Sequence, residues 1–134
     1  MAMIHIETPV NAPPEALWDA IRDYGALHTR LVPGFVIDTR LEGDSRLVSF
    51  GNGMTARERI VGLDDRAMRL AYGVVSERLV HHSASNQVIP DGTGRCRFVW
   101  IADVLPDAAA EGMAAMMRQG AEVLRATAEA AAAR

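Results

Sequence analysis

The chain has 134 residues, 49% of them apolar, and a formal charge of −3. It is long enough to bury about two-thirds of its unfolded surface. It is too apolar to be disordered, and it lacks the basic excess of a nucleic-acid-binding surface. All fourteen basic residues are Arg. Together with the Ala-rich end, this reads as the composition of a GC-rich bacterial genome. One cysteine, Cys96, cannot form an internal disulfide, which fits a reducing compartment. Residues 1–10 lack the charged start and long apolar core of a signal peptide, and no apolar run approaches the roughly 20 residues of a membrane span. One domain over residues 1–134, soluble and cytoplasmic, is expected.

In chain order, residues 3–10 alternate, with Ile4 and Ile6 on one face and His5 and Glu7 on the other, as in a strand. Asn11 followed by Pro13-Pro14-Glu15 signals a helix start with Asn11 as the cap. Leu17, Trp18 and Ile21 then recur at helical spacing up to Tyr24-Gly25, and a short helical turn is expected over residues 26–31. Residues 35–42 and 46–50 are strands joined by Gly43-Asp44, a hairpin signal. Gly51-Asn52-Gly53 is a second tight turn. Strands follow over 55–63, 68–75, 79–89 and 95–104, with Asp64-Asp65 in a polar, solvated turn. Pro106-Asp107 opens a helix that can run to the end; about 25 residues span about 37 Å, the width of the whole domain. Consecutive hairpins give an antiparallel sheet with one buried face. The expected architecture is therefore α+β, a helix-grip: a curved sheet of about seven strands around a long C-terminal helix, with two short helices after the first strand.

The face of the last helix carries Met113, Met116, Met117, Gly120 and Leu124. Flexible and very small side chains fill a wide concavity badly and line one well. The same stripe also suits an ordinary core.

Residues 14–24, PEALWDAIRDY, resemble the first helix of the SRPBCC superfamily, the START-like and birch-pollen-allergen-like ligand-binding proteins. RLVSF at 46–50, Asn52-Gly53, RERIVGLD at 57–64 and Leu70-Ala71-Tyr72 are similar to the run typical of its polyketide cyclase/dehydrase branch, and Trp100 fits near the end of the last strand. The Arg-Glu-Arg plus Leu-Asp-Asp pattern is more distantly similar to the plant abscisic acid receptors. That resemblance implies a cavity faced by Arg46, Val48, Phe50, Glu58, Ile60, Tyr72 and His82, and by Met116 and Gly120 on the last helix. The chain departs from the receptors in its shorter 51–54 turn and in Thr29, which stands where their ligand-pairing Lys does, so a hormone-receptor role is not implied.

Period-2 parity agrees: Arg46 shares a face with Val48 and Phe50, Glu58 with Ala56 and Ile60, Tyr72 with Leu70 and Val74, and His82 with Val80 and Ala84. A buried Glu58 needs a partner, for which Arg46 and Arg59 are candidates. The pair either orients a ligand or only fixes the sheet. His81 and His82 point to opposite faces, so no metal site is expected, and no cofactor is implied. On the last strand, alternation turns Cys96, Phe98, Trp100 and Ala102 inward, whereas the receptor-based register turns Val99 and Ile101 inward; the sequence leaves this open.

The expected function is binding of a small hydrophobic or aromatic ligand, lipid- or polyketide-like, between sheet and last helix, admitted near residues 51–54 and 76–79. The ligand-binding set is Arg46, Val48, Phe50, Glu58, Ile60, Tyr72, His82, Met113, Met116 and Gly120. A cyclase or dehydratase with Glu58 and His82 as catalytic acid–base groups is the alternative, and a protein–protein module the second. Partners expected are a small hydrophobic molecule and at most a second copy of the chain, with neither nucleic acid nor an integral membrane association.

Overall fold

A computed structural model describes residues 2–134. Seven strands form one antiparallel sheet: β1 (Ala2–Val10), β2 (Val36–Glu42), β3 (Ser45–Phe50), β4 (Thr55–Asp64), β5 (Arg69–Val75), β6 (His81–Pro90) and β7 (Cys96–Leu105). The order is β1-β7-β6-β5-β4-β3-β2. Strands β2 to β7 are thus a meander, and β1 closes on the last of them. Between β1 and β2 lie α1 (Pro14–Arg22), a 3₁₀ turn (Tyr24–Ala26) and a wide π turn (Leu27–Leu31); α2 (Ala110–Ala132) follows β7. The helix-grip architecture is as the sequence reads it.

The differences are local. Pro13, not Asn11, occupies the helix cap of α1, and no side chain bonds there. The Asn11 backbone N–H instead donates to Glu129 on α2 at 3.0 Å. β6 begins at His81, which leaves Val80 82% exposed, outside the strand whose parity it was assigned. Asp65 is not merely solvated: it takes the Trp18 indole N–H at 2.9 Å and Arg22 at 2.8 Å, and those donors hold its carboxyl below the usual range. Asp64 accepts the N–H groups of Arg66 and Ala67 and so closes its turn.

The sheet curves at two bulges, one between Val36 and Asp38 on β2 and one between Ile60 and Gly62 on β4. A bulge inserts one residue and bends the strand. The inserted Ile37 and Val61 face outward, 60% and 68% exposed. Two apolar clusters fill the concave side. One joins α1, the π turn and the C-terminal half of α2 through Leu17, Trp18, Ile21, Leu31, Phe98 and Leu124. The other joins β1, β5, β6 and β7 to the N-terminal half of α2 through Ile4, Tyr72, Ala84, Val104 and Met117. Residues of both clusters line a hollow between sheet and helix.

Candidate functional site

The hollow encloses about 80 Å³. Its helix wall is Met113, Met116, Met117, Gly120 and Leu124, the full stripe singled out in the sequence. Its sheet wall includes Phe50, Phe98 and Trp100, and Leu27, Leu31, Val32, Phe35 and Val36 close one end. The polar side chains are Arg46, Glu58, Tyr72, His82 and Asn86.

Arg46 and Glu58 sit directly opposite each other across the β3–β4 ladder. Arg46 is 3% and Glu58 7% exposed. Arg46 Nε donates to Glu58 Oε1 at 2.8 Å, Nη2 lies 2.8 Å from the same oxygen in an ion pair, and Nη1 donates to the Tyr24 carbonyl at 3.1 Å. The guanidinium lies 5.5 Å from the centre of the Tyr72 ring and 5.9 Å from that of Tyr24. Excellent geometry of this kind is what a buried ion pair requires to offset its desolvation. Arg59, the other candidate partner, points outward and pairs with Asp44 at 3.1 Å.

Tyr72, from β5, accepts a hydrogen bond from Trp100 Nε1 at 3.0 Å and is also bonded by Asn86. Burial, then the Glu58 charge, push its phenol far above the usual range, so it stays protonated. His82 Nδ1 is buried without a partner. Burial holds the imidazole below its ordinary pKa, against the opposing pull of Glu58. His82 is thus neutral at pH 7 and presents one donor and one acceptor. Cys96 is buried, with its thiol pushed up to about 11 by desolvation, and is inert.

Eight of the ten predicted ligand-site residues line the hollow: Arg46, Phe50, Glu58, Tyr72, His82, Met113, Met116 and Gly120. Val48 and Ile60 do not. Val48 is packed within the first cluster, and Ile60 lies against both, so each faces inward where neighbours already fill the space. The last strand runs without a bulge and turns Phe98 and Trp100 to the hollow, which overturns the receptor-based register. Asn86, Phe35 and Trp100 were missing from the predicted set. Parity alone would have found Asn86, which continues the His82–Ala84 series. Thr29 is exposed and bonds only the Ala26 carbonyl.

Outside the hollow lies an open depression of about 340 Å³, lined by Gly34, Gly51, Asn52 and Gln119. Phe35, Phe50 and Met116 border both spaces and form the partition. The two rings meet edge to face with centroids 5.7 Å apart. The tip of Phe35 rests at Gly120, where a Cβ would lie 3.0 Å from it. Ser76 to Arg78, expected near the way in, line a different surface groove.

No functionally curated protein matches the chain. Among solved structures, the protein XoxI from Bacillus cereus superimposes with a TM-score of 0.85 at 17% identity, covering 96% of both chains. A solution structure from Thermobifida fusca reaches 29% identity and a TM-score of 0.68, covering 83% of this chain and 80% of that one. The di-domain ARO/CYC BexL from the BE-7585A biosynthetic pathway gives 0.82 at 13% identity; the match spans 96% of this chain and 47% of BexL. The profile described as polyketide cyclase/dehydrase and lipid transport matches residues 1–129, and the chain belongs to that family.

Proposed function

We propose that the chain binds a small, mostly apolar ligand carrying one polar group, held between the sheet and α2. The observation that carries this is the division of the hollow into an apolar helix wall and a polar sheet wall, in which His82 Nδ1 has no partner. Buried polar atoms without partners are rare and costly; a ligand's polar group would satisfy them. Pockets with few convergent polar groups in an apolar lining are the usual form of a small-molecule site.

The size of the hollow constrains the mode of binding. A dry cavity of about 150 Å³ accepts benzene, and this one is smaller. A guest of even one ring therefore displaces side chains. The three methionines are unbranched and reshape readily, and an outward swing of Phe35 joins the hollow to the outer depression. Access is by that partition.

The test is native mass spectrometry of the protein purified from its own host, with an aromatic fragment screen read by NMR. A co-purifying small molecule, or fragments that shift the Trp100 indole N–H, is the expected result. Absence of both would overturn the proposal.

A cyclase or dehydratase role is the second reading. It is favoured by one observation, a neutral His82 with a free buried nitrogen close enough to feel the Glu58 charge. Glu58 itself is hydrogen-bonded and ion-paired to Arg46 and is poorly placed to move protons. His82→Ala retaining ligand but losing turnover of a poly-β-ketone chain would support this reading; unchanged turnover would end it.

A further inference from the structure

We propose that the hollow selects uncharged ligands, with a ketone, amide or hydroxyl as the polar group, and rejects carboxylates, because Glu58 acts as a built-in counter-ion that occupies Arg46. The inference rests on the binding reading above and specifies its ligand class.

An arginine in an apolar pocket ordinarily announces an anionic ligand, since its planar fork matches a carboxylate. Here the fork is already taken. Nε and Nη2 meet Glu58 Oε1, and Nη1 meets the Tyr24 carbonyl. The rings of Tyr24 and Tyr72 also approach the guanidinium, with centres 5.9 and 5.5 Å away. Among the described residues, Arg46 and Glu58 are the only Arg, Asp or Glu side chains on the wall, so their charges cancel. His82 is neutral and adds no positive charge at pH 7. A carboxylate entering this space would lose its water and gain no cation, and would sit in the field of Glu58. Burying an unpaired charge is far costlier than burying a hydrogen-bonded neutral group. A neutral carbonyl, by contrast, can lie beside Tyr72 and Asn86 on the wall without burying an unpaired charge, and a hydroxyl or amide N–H can be given to the imidazole acceptor.

The test uses three probes of equal heavy-atom count: acetophenone, benzamide and benzoate. They differ in one substituent and in charge. The chain has two Trp residues, so its indole N–H region contains two signals. Trp100 lines the hollow, while Trp18 bonds Asp65 outside it and serves as the internal control; Trp18→Phe assigns them. At pH 7.5, acetophenone and benzamide are expected to shift the Trp100 signal and to bind at least about tenfold tighter than benzoate. In Glu58→Gln the order inverts: Arg46 loses its counter-ion, and benzoate binds best and raises the melting temperature. Benzoate binding wild type as well as its neutral isosteres would overturn the charge selectivity while leaving the hollow a binding site. A folded Glu58→Gln that still rejects benzoate would overturn Glu58 as the cause. Silence from all three probes at Trp100 would overturn both the selectivity and the binding reading beneath it. If Glu58→Gln does not fold, the wild-type series decides alone.

Discussion

At the level of single residues, the Arg46–Glu58 pair links stability to the proposed recognition. Both partners are almost fully buried and joined by two short contacts. Removing one member of such a pair leaves a desolvated charge and costs about 3–5 kcal/mol, whereas replacing both with apolar groups of similar volume is often neutral. Arg46→Met should therefore lower the unfolding free energy by about that amount, and Arg46→Met/Glu58→Leu should recover most of it, as read by urea denaturation. Equal losses in the single and double variants would mean that the Arg46 bond to the Tyr24 carbonyl dominates. His82 gives a pH dependence of opposite origin. Burial keeps its folded-state pKa below the ordinary 6.5. As pH falls through that range, the unfolded chain takes up the proton first, so the contribution is fully present above about pH 7 and is lost on acidification. Wild type should lose more stability between pH 7.5 and 5.5 than His82→Asn does. Parallel curves for the two proteins would contradict this.

Among the elements, the mouth of the hollow depends on two turns that nearly touch. Gly51 N–H donates to the Phe35 carbonyl at 2.9 Å, and a Cβ on Gly51 would lie 2.5 Å from the Gly34 carbonyl oxygen. Only glycine permits this approach of backbone to backbone. Gly51→Ala should separate the turns, free Phe35 from its seat at Gly120 and cost about 1–3 kcal/mol, in the range of other overpacked sites. Faster ligand association with little change in the Trp100 environment is the expected signature in stopped-flow fluorescence; unchanged association would remove Phe35 from the role of partition. This contact was not legible in the sequence. Gly51-Asn52-Gly53 reads as a tight turn, and nothing in its composition says that another turn lies against it. Strand and helix identity, by contrast, was legible almost throughout, because alternation, the 3.6-residue stripe and Gly/Pro punctuation are local signals that the packing then reinforced. Where boundaries slipped, as at Val80 and Asn11, the deciding partner was remote: a backbone bond from Val80 to the Leu105 carbonyl, and one from the Asn11 N–H to the Glu129 carboxylate.

For the molecule as a whole, the hollow is lined by residues of two clusters that meet through Ile6, Ile60 and Trp100. Parity correctly turned Arg46, Glu58, Tyr72 and His82 inward, but it assigns a face and carries no distance. Val48 and Ile60 share that face and are surrounded by packed neighbours instead. Which inward residues reach open volume is set by the bulged curvature of the sheet and by the small volume of α2 at Gly120, properties of the assembled fold. Open volume has an energetic consequence that a filling substitution can read. Val36 lines the hollow and is 1% exposed. Val36→Ile adds one methylene, which in true void stabilises by up to about 0.8 kcal/mol, and in a packed core destabilises through strain. Chemical denaturation should show the variant at least as stable as wild type, while acetophenone binding read at the Trp100 indole weakens. A variant that is destabilised would mean that the space is already full at that end, and one that is stabilised with unchanged binding would place the guest elsewhere.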